Sequence, residues 1–217
     1  MKKIVFIVLG ALFLVSCNQN SSKEKKSVAE EGKKVENVKE LSFDEQFKTI
    51  SPEEFSGNVF NLVGKDFTVI TAGDETLYNS MTAGWGGLGI LFNKPTTWCF
   101  LRANRYTLEL IQQEQKYTMS YFPDEYKDQV LFLGSKSGKD TDKMKETTLT
   151  HVQTPSGSIS FKEAKIIIEC KLIEISTVTP EDYYTEEGKN FISDAYKEVG
   201  DYHKLVFGEI TNIWVNK

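Results

Sequence analysis

Arginine is nearly missing from this chain. Of 26 Lys plus Arg residues only Arg102 and Arg105 are arginine, and they stand three positions apart. Histidine is as sparse: His151 and His203 lie far apart, and no H-E-x-x-H, C-x-x-C or G-x-S-x-G occurs. Those absences remove zinc hydrolases, thioredoxin-type exchange and nucleophile-elbow hydrolases. A basic excess is absent too. With 26 Lys plus Arg against 31 Asp plus Glu, a net charge of −5, the chain has no positive field to hold a phosphate backbone, so nucleic acid is not expected as a partner. No apolar run reaches the roughly 20 residues of a permanent membrane span. What remains, at 40% hydrophobic and 26% charged residues over 217 positions, is an ordinary folded domain with ample core.

The N-terminus is built for export. Lys2 and Lys3 precede an apolar run from Ile4 to Val15, and Leu14-Val15-Ser16-Cys17 closes it with a small residue before a cysteine. Residues 1–16 therefore read as a signal peptide, and the ending resembles a bacterial lipoprotein box that leaves Cys17 as the lipid-bearing first residue; an ordinary secretory signal is the alternative. Cleavage removes two lysines and no acid, so the mature charge is 24 minus 31, or −7, and attraction to anionic lipid is not the anchor. Residues 17–40 turn to Asn, Ser, Lys and Glu without an aromatic, too poor in apolar surface to offset the cost of ordering, and read as a tether. Residues 41–217 are then one domain, exported and held at the membrane only through the lipid. Export permits a disulfide, yet Cys99 and Cys170 each sit in an apolar strand-like run, where a free buried thiol is the simpler expectation.

Within the domain, Phe67–Ala72 and Leu77–Thr82 flank Gly73-Asp74 as two antiparallel strands. Thr96–Arg102 is a third strand, and Asn104 is placed to cap a helix over Arg105–Gln115. Tyr117–Phe122 is a strand stopped by Pro123, short helices are expected at Asp124–Leu133 and Asp140–Glu146, and Ala164–Ile175 and Lys204–Val215 are long alternating strands. The pattern predicts a mainly β fold, an antiparallel barrel with a few inserted helices.

Gly84, Gly86 and Gly89 satisfy G-x-G-x-x-G, but no helix follows before Pro95, so the dinucleotide crossover is rejected; the glycines are either a barrel-corner turn or a loop that lets a flat ligand approach. The arginines carry more. Arg102 ends a strand and Arg105 stands in the first turn of a helix, where free amides and the helix dipole favour an anion; with Asn104 and Thr107 they predict a phosphate pocket.

Several stretches together, Asn79–Gly89 (NSMTAGWGGLG), Asn93-Lys94-Pro95, Arg102–Thr107 (RANRYT), Thr118–Phe122 (TMSYF), Ser135–Asp140 (SKSGKD) with Lys143, Gly200–His203 (GDYH) and Gly208-Glu209-Ile210, resemble the flavin reductase-like family, in particular its flavoredoxin-like branch. The resemblance implies an FMN-binding split β-barrel that works as a homodimer with flavin near the interface. It implies that Asn79, Ser80, Met81, Thr82, Ala83, Gly84 and Trp85 lie along the polar edge of the isoalloxazine, with hydrogen bonds from Thr82 and Ala83. Arg102, Asn104, Arg105 and Thr107 would take the phosphate and ribityl side, Ser135, Ser137, Asp140 and Lys143 a second polar loop, and His203 would be the late histidine near the flavin. Relatives often carry a small polar residue at the position of Gly84.

The expected activity is that of a flavin-dependent oxidoreductase, passing electrons from a reduced nicotinamide through FMN to a second acceptor. Export puts the nicotinamide in question, so an envelope electron carrier reduced by a protein partner is the alternative, and a binding lipoprotein that has lost its cofactor is another. The Arg pair and the Asp140/Lys143 loop speak against the last.

Overall fold

A computed structural model describes residues 40–196 and 201–217. The signal, Cys17 and nearly all of the proposed tether lie outside the described residues, as does Gly200. Glu40–Lys217 forms one compact unit.

Ten strands and five short helices build it: α1 (Phe43–Gln46), β1 (Phe47–Ile50), α2 (Val59–Asn61), β2 (Thr68–Gly73), β3 (Tyr78–Ala83), β4 (Gly86–Leu91), β5 (Lys94–Arg102), α3 (Tyr106–Glu114), β6 (Lys116–Tyr121), α4 (Lys127–Ser135), β7 (His151–Gln153), β8 (Ile159–Phe161), β9 (Ile166–Thr177), α5 (Glu186–Ala195) and β10 (His203–Asn216). Eight strands form one antiparallel sheet in the order β3-β2-β6-β9-β10-β5-β4, with β1 added to β10; β7 and β8 make a separate hairpin. This is the mainly β, antiparallel architecture that alternation in the sequence predicts.

Length and register irregularity curl the sheet. β9 and β10 pair over most of their length, and the register slips between Phe207 and Gly208 and again between Ile210 and Asn212, bulges that let a 14-residue strand coil. At Gly208 a Cβ would lie 2.4 Å from the Tyr117 hydroxyl, so only glycine admits that ring to the interior. Inside the curl, α3 contributes Leu108, Leu110 and Ile111 to a core shared with Ile70, Met119 and Val206. Each such side chain stabilises the fold by roughly 1.5–3 kcal/mol. On the outer face, α4 and the β7–β8 hairpin cover Val69 and Ile167 with Val130, Leu133 and Phe161. Cys99 and Cys170 are free and buried, and burial pushes the Cys99 thiol up to about 12.

Five local expectations need correction. From Gly86 on, the glycine-rich stretch is neither corner nor loop but strand β4, where the Trp98 ring lies across Gly87 and leaves no room for a side chain there. Asn104 is exposed and does not cap α3; Arg105 occupies the cap position and supplies no side-chain hydrogen bond. The helix expected over Asp124–Leu133 is a 3-10 turn (Asp124–Tyr126) followed by α4, and that over Asp140–Glu146 shrinks to a 3-10 turn at Lys143–Glu146. Phe67 is outside β2, at φ 62°, where its ring packs over Gly84. Among the described residues no helix is long and apolar enough to cross a membrane, and no group of His, Cys, Asp or Glu could hold a metal ion.

Candidate functional site

Three segments converge where β5 ends. β3 is the last strand of the sheet, paired on one side only, so its other edge keeps backbone groups available. α3 starts at Tyr106, after the chain turns back on itself with the Arg105 amide donating to the Arg102 carbonyl at 3.0 Å. The loop after α4 brings Lys136, Ser137 and Gly138 against both.

Between them lies a cavity of about 200 Å³ lined by Asn79, Met81, Asn104, Arg105, Tyr106, Thr107, Lys136, Ser137, Gly138 and Lys143. Three of these are cations and none is a carboxylate. Arg105 Nε is buried without a hydrogen-bond partner, an orphan donor that an anion would satisfy. Asn79 Nδ2 donates to Thr107 Oγ1 at 2.7 Å, which orients both side chains at the helix start. Gly138 closes down on that pair: a Cβ there would stand 1.9 Å from Asn79 Oδ1.

Lys143 is the most constrained cation. Only 4% exposed, it donates through Nζ to the Leu133 carbonyl at 2.8 Å and to the Ser80 carbonyl, and so clips the end of α4 to β3. Burial, and then the positive charge of Arg105, lower it to about 8 from its ordinary 10.5. A larger cavity of about 460 Å³ shares Asn79, Tyr106, Gly138 and Lys143 and extends over Tyr78, Ser80, Asp140 and Asp142.

Beyond Arg105 lies a second environment. His203 begins β10 opposite Arg102 and sits between the rings of Trp85, at 5.0 Å, and Tyr196, at 5.4 Å. Burial first, then Arg102 and Arg105, push the imidazole down to about 4, so it is neutral at physiological pH. Its Nδ1 is buried and unpartnered.

The predicted residues thus divide. Asn79, Met81, Asn104, Arg105, Thr107, Ser137 and Lys143 meet around one cavity, and Ser80 and Asp140 line its larger neighbour. Arg102 does not join Arg105 there: its guanidinium lies over the Tyr196 ring, 5.3 Å from the centroid, so this cavity is lined by one arginine and not the two expected. The Thr82 hydroxyl is spent on the Val130 carbonyl and the Ala83 side chain is in the core, so neither side chain lines the cavities. Ser135 donates to the Phe132 carbonyl at 2.7 Å and stays outside them. Gly84 packs under Phe67, while Trp85 and His203 face the aromatic pocket. Lys136, Gly138 and Tyr106 went unselected from the sequence although the first two lie inside the SKSGKD stretch; a glycine between two polar residues, forced by a close approach, was the available signal.

A family model described as "Flavin reductase like domain" matches residues 60–217. Comparison with curated proteins finds no match. Among solved structures, the fold is similar to an FMN-binding protein from Thermus thermophilus with bound 1-cyclohex-2-enone, with 23% identity, TM-score 0.54, and coverage of 77% of this chain and 78% of that one. It is also similar to an FMN-binding domain of flavin reductases-like enzyme from Shewanella baltica, with 16% identity, TM-score 0.56 and coverage of 78% and 77%. Flavoredoxin of Desulfovibrio vulgaris shares 20% identity at TM-score 0.54, covering 77% and 78%. These identities carry the fold, a flavin reductase-like split barrel, while the family match spans most of the chain. The chain belongs to the flavin reductase-like domain family.

Proposed function

We propose that this protein binds FMN and works as a flavin-dependent oxidoreductase. The carrying observation is the buried, unpartnered Arg105 Nε in a cavity walled by cations at the start of α3. A phosphate dianion fits that donor set, and the tight approach of Gly138 to Asn79 makes the cradle that a nucleotide phosphate needs. FMN-binding neighbours of the same fold support the choice of ligand. Bound FMN would supply two-electron chemistry, accepting a hydride from a reduced nicotinamide and passing electrons to a second acceptor.

The chain's own residues position and exclude. Arg105, Ser137, Asn104 and Lys143 would hold the phosphate side, with Thr107 and Asn79 keeping each other in place. The open edge of β3 would offer backbone donors to the ring, where they favour negative charge at its pyrimidine side. His203, neutral and partly enclosed, would hold or move a proton at Nδ1.

We place the working unit as a homodimer. The β4–β5 hairpin turns through Phe92 and Asn93, both at positive φ, and Phe92 is 75% and Ile90 72% exposed. A phenylalanine in that conformation costs about 1–2 kcal/mol, and a second copy covering it would offset the cost. The N-terminal leader favours a second reading of the electron supply, in which a lipid-anchored envelope protein takes electrons from a protein partner. One experiment addresses both. The purified protein is titrated with FMN, followed in the visible spectrum, then mixed with reduced nicotinamide. A flavin band that reduced nicotinamide bleaches supports the enzyme; a bound flavin that it cannot bleach supports the carrier; no binding of FMN overturns both.

A further inference from the structure

The pocket around His203 shares no lining residue with the two cavities beside Arg105. It holds about 250 Å³ between Trp85 just before β4, Phe100 of β5, the segment from Val178 to Tyr183 after β9, α5 and the start of β10, room for a one- or two-ring compound but not for a nucleotide. Its walls are Trp85, Phe100, Phe191 and Tyr196, with Trp85 and Phe191 rings 6.1 Å apart. Trp85 is 48% and Phe191 56% exposed, so two large rings stand at the mouth with apolar faces turned to solvent. Aromatic walls select flat rings, which stack or meet them edge to face.

Polar groups in the lining come from His203 and from the hydroxyls of Tyr183 and Tyr196, the last of which accepts from the His203 amide at 3.3 Å. His203 Nδ1 is buried and without a partner, and the Arg102 guanidinium sits beside Tyr196. No carboxylate lines the cavity, so the local field favours an oxygen that accepts a hydrogen bond and disfavours a cation. We propose that this pocket binds a planar conjugated ring bearing a carbonyl oxygen, the chemistry of a quinone, with the ring packed against the Trp85 and Phe191 side chains and the oxygen on His203. Treating such a ligand as the second electron acceptor rests on the flavin reading above; the binding itself does not.

Calorimetric titration of the full chain without added flavin, with menadione and with its carbonyl-free analogue 2-methylnaphthalene, tests the assignment. Menadione should bind roughly tenfold more tightly, the value of about one hydrogen bond. His203→Ala should bring menadione to the level of the hydrocarbon, His203→Gln, which keeps a donor, should restore part of the difference, and Phe191→Ala should weaken both ligands. Phe191 is exposed enough for that variant to fold. Equal affinity of the wild type for the two compounds, or displacement of menadione by reduced nicotinamide mononucleotide at a lower concentration than its own, overturns the quinone assignment. An FMN titration of the same samples separates the outcomes: FMN binding without menadione binding overturns this site alone, and menadione binding without FMN leaves the site standing while the flavin reading falls.

Discussion

Removing the Arg105 guanidinium should weaken FMN but not riboflavin. Arg105 Nε is buried without a partner, so in the free protein this donor has lost water and gained nothing. A phosphate would satisfy it with a charge-assisted hydrogen bond, worth about 1.5 to 3 kcal/mol. At 1.4 kcal/mol per tenfold change, Arg105→Ala should raise the FMN dissociation constant by roughly one to two decades. Part of that loss is returned, because Arg105 also depresses Lys143, and relief of this repulsion leaves Lys143 a better cation in the same cavity. The lower end of the range is therefore the expected value. Riboflavin has the same ring and no phosphate, so its affinity should change less than twofold. Quenching of flavin fluorescence on titration measures both constants. Equal losses for the two ligands would show that Arg105 supports the fold and that the phosphate lies elsewhere.

Four further outcomes are expected. FMN affinity should be highest between about pH 6 and pH 8: below about 6 the phosphate loses its second charge, and above about 8 the free protein's Lys143 is neutral and must take up a proton for the dianion, so affinity falls as pH rises; a flat profile across pH 8 contradicts this role of Lys143. Gly138→Ala should lose FMN binding and about 1–3 kcal/mol of stability from overpacking, since the added methyl collides with an Asn79 amide already tied to Thr107; urea unfolding and titration unchanged from wild type would refute the cradle. Ile90→Arg, at a position 72% exposed, should leave the fold intact and dissociate the proposed dimer, read by sedimentation; an unchanged sedimentation coefficient argues against that interface. Cys17→Ser should abolish detergent partitioning of the expressed protein, and identical partitioning of mutant and wild type would exclude the lipid anchor.

Legibility in the sequence followed how local the deciding interaction is. β2, β3, β6, β9 and β10 announce themselves through β-branched and aromatic alternation, because each segment carries its own core face. β4 does not, since glycine is depleted in strands and it is the Trp98 indole, contributed from the neighbouring strand, that requires glycine at Gly87. α5 escaped for a related reason: of its side chains only Ile192 is buried, so no apolar stripe marks it. The cavity at the start of α3 was approachable from the rarity of arginine and the place of Arg105 at a helix start. Arg102 does not line that cavity because, opposite His203 in the β5–β10 pairing, its guanidinium lies over the Tyr196 ring, a contact no local sequence signal shows. Nothing local separates Lys143 from 23 other lysines; its burial depends on two carbonyls from α4 and β3.

Arg105 stands at the electrostatic centre of this arrangement. Its charge lowers Lys143 on the phosphate side and His203 on the aromatic side, although the two cavities share no wall. Coulomb interaction needs no contact, and between partly buried groups it is screened far less than at the surface. An anion seated on Arg105 would offset that residue's share of the field, so Lys143 would rise toward its ordinary value and His203 by less, because Arg102 still acts on it. Lys143 then stays charged over a wider pH range and grips its carbonyls and the anion together. Burial remains the larger cause at His203, so the imidazole moves up only in part and stays mostly neutral near pH 7. An imidazole that is neutral but less depressed is a better proton acceptor. Occupancy of one cavity would thereby adjust the proton affinity of the group that lines the other, with no movement of the backbone required.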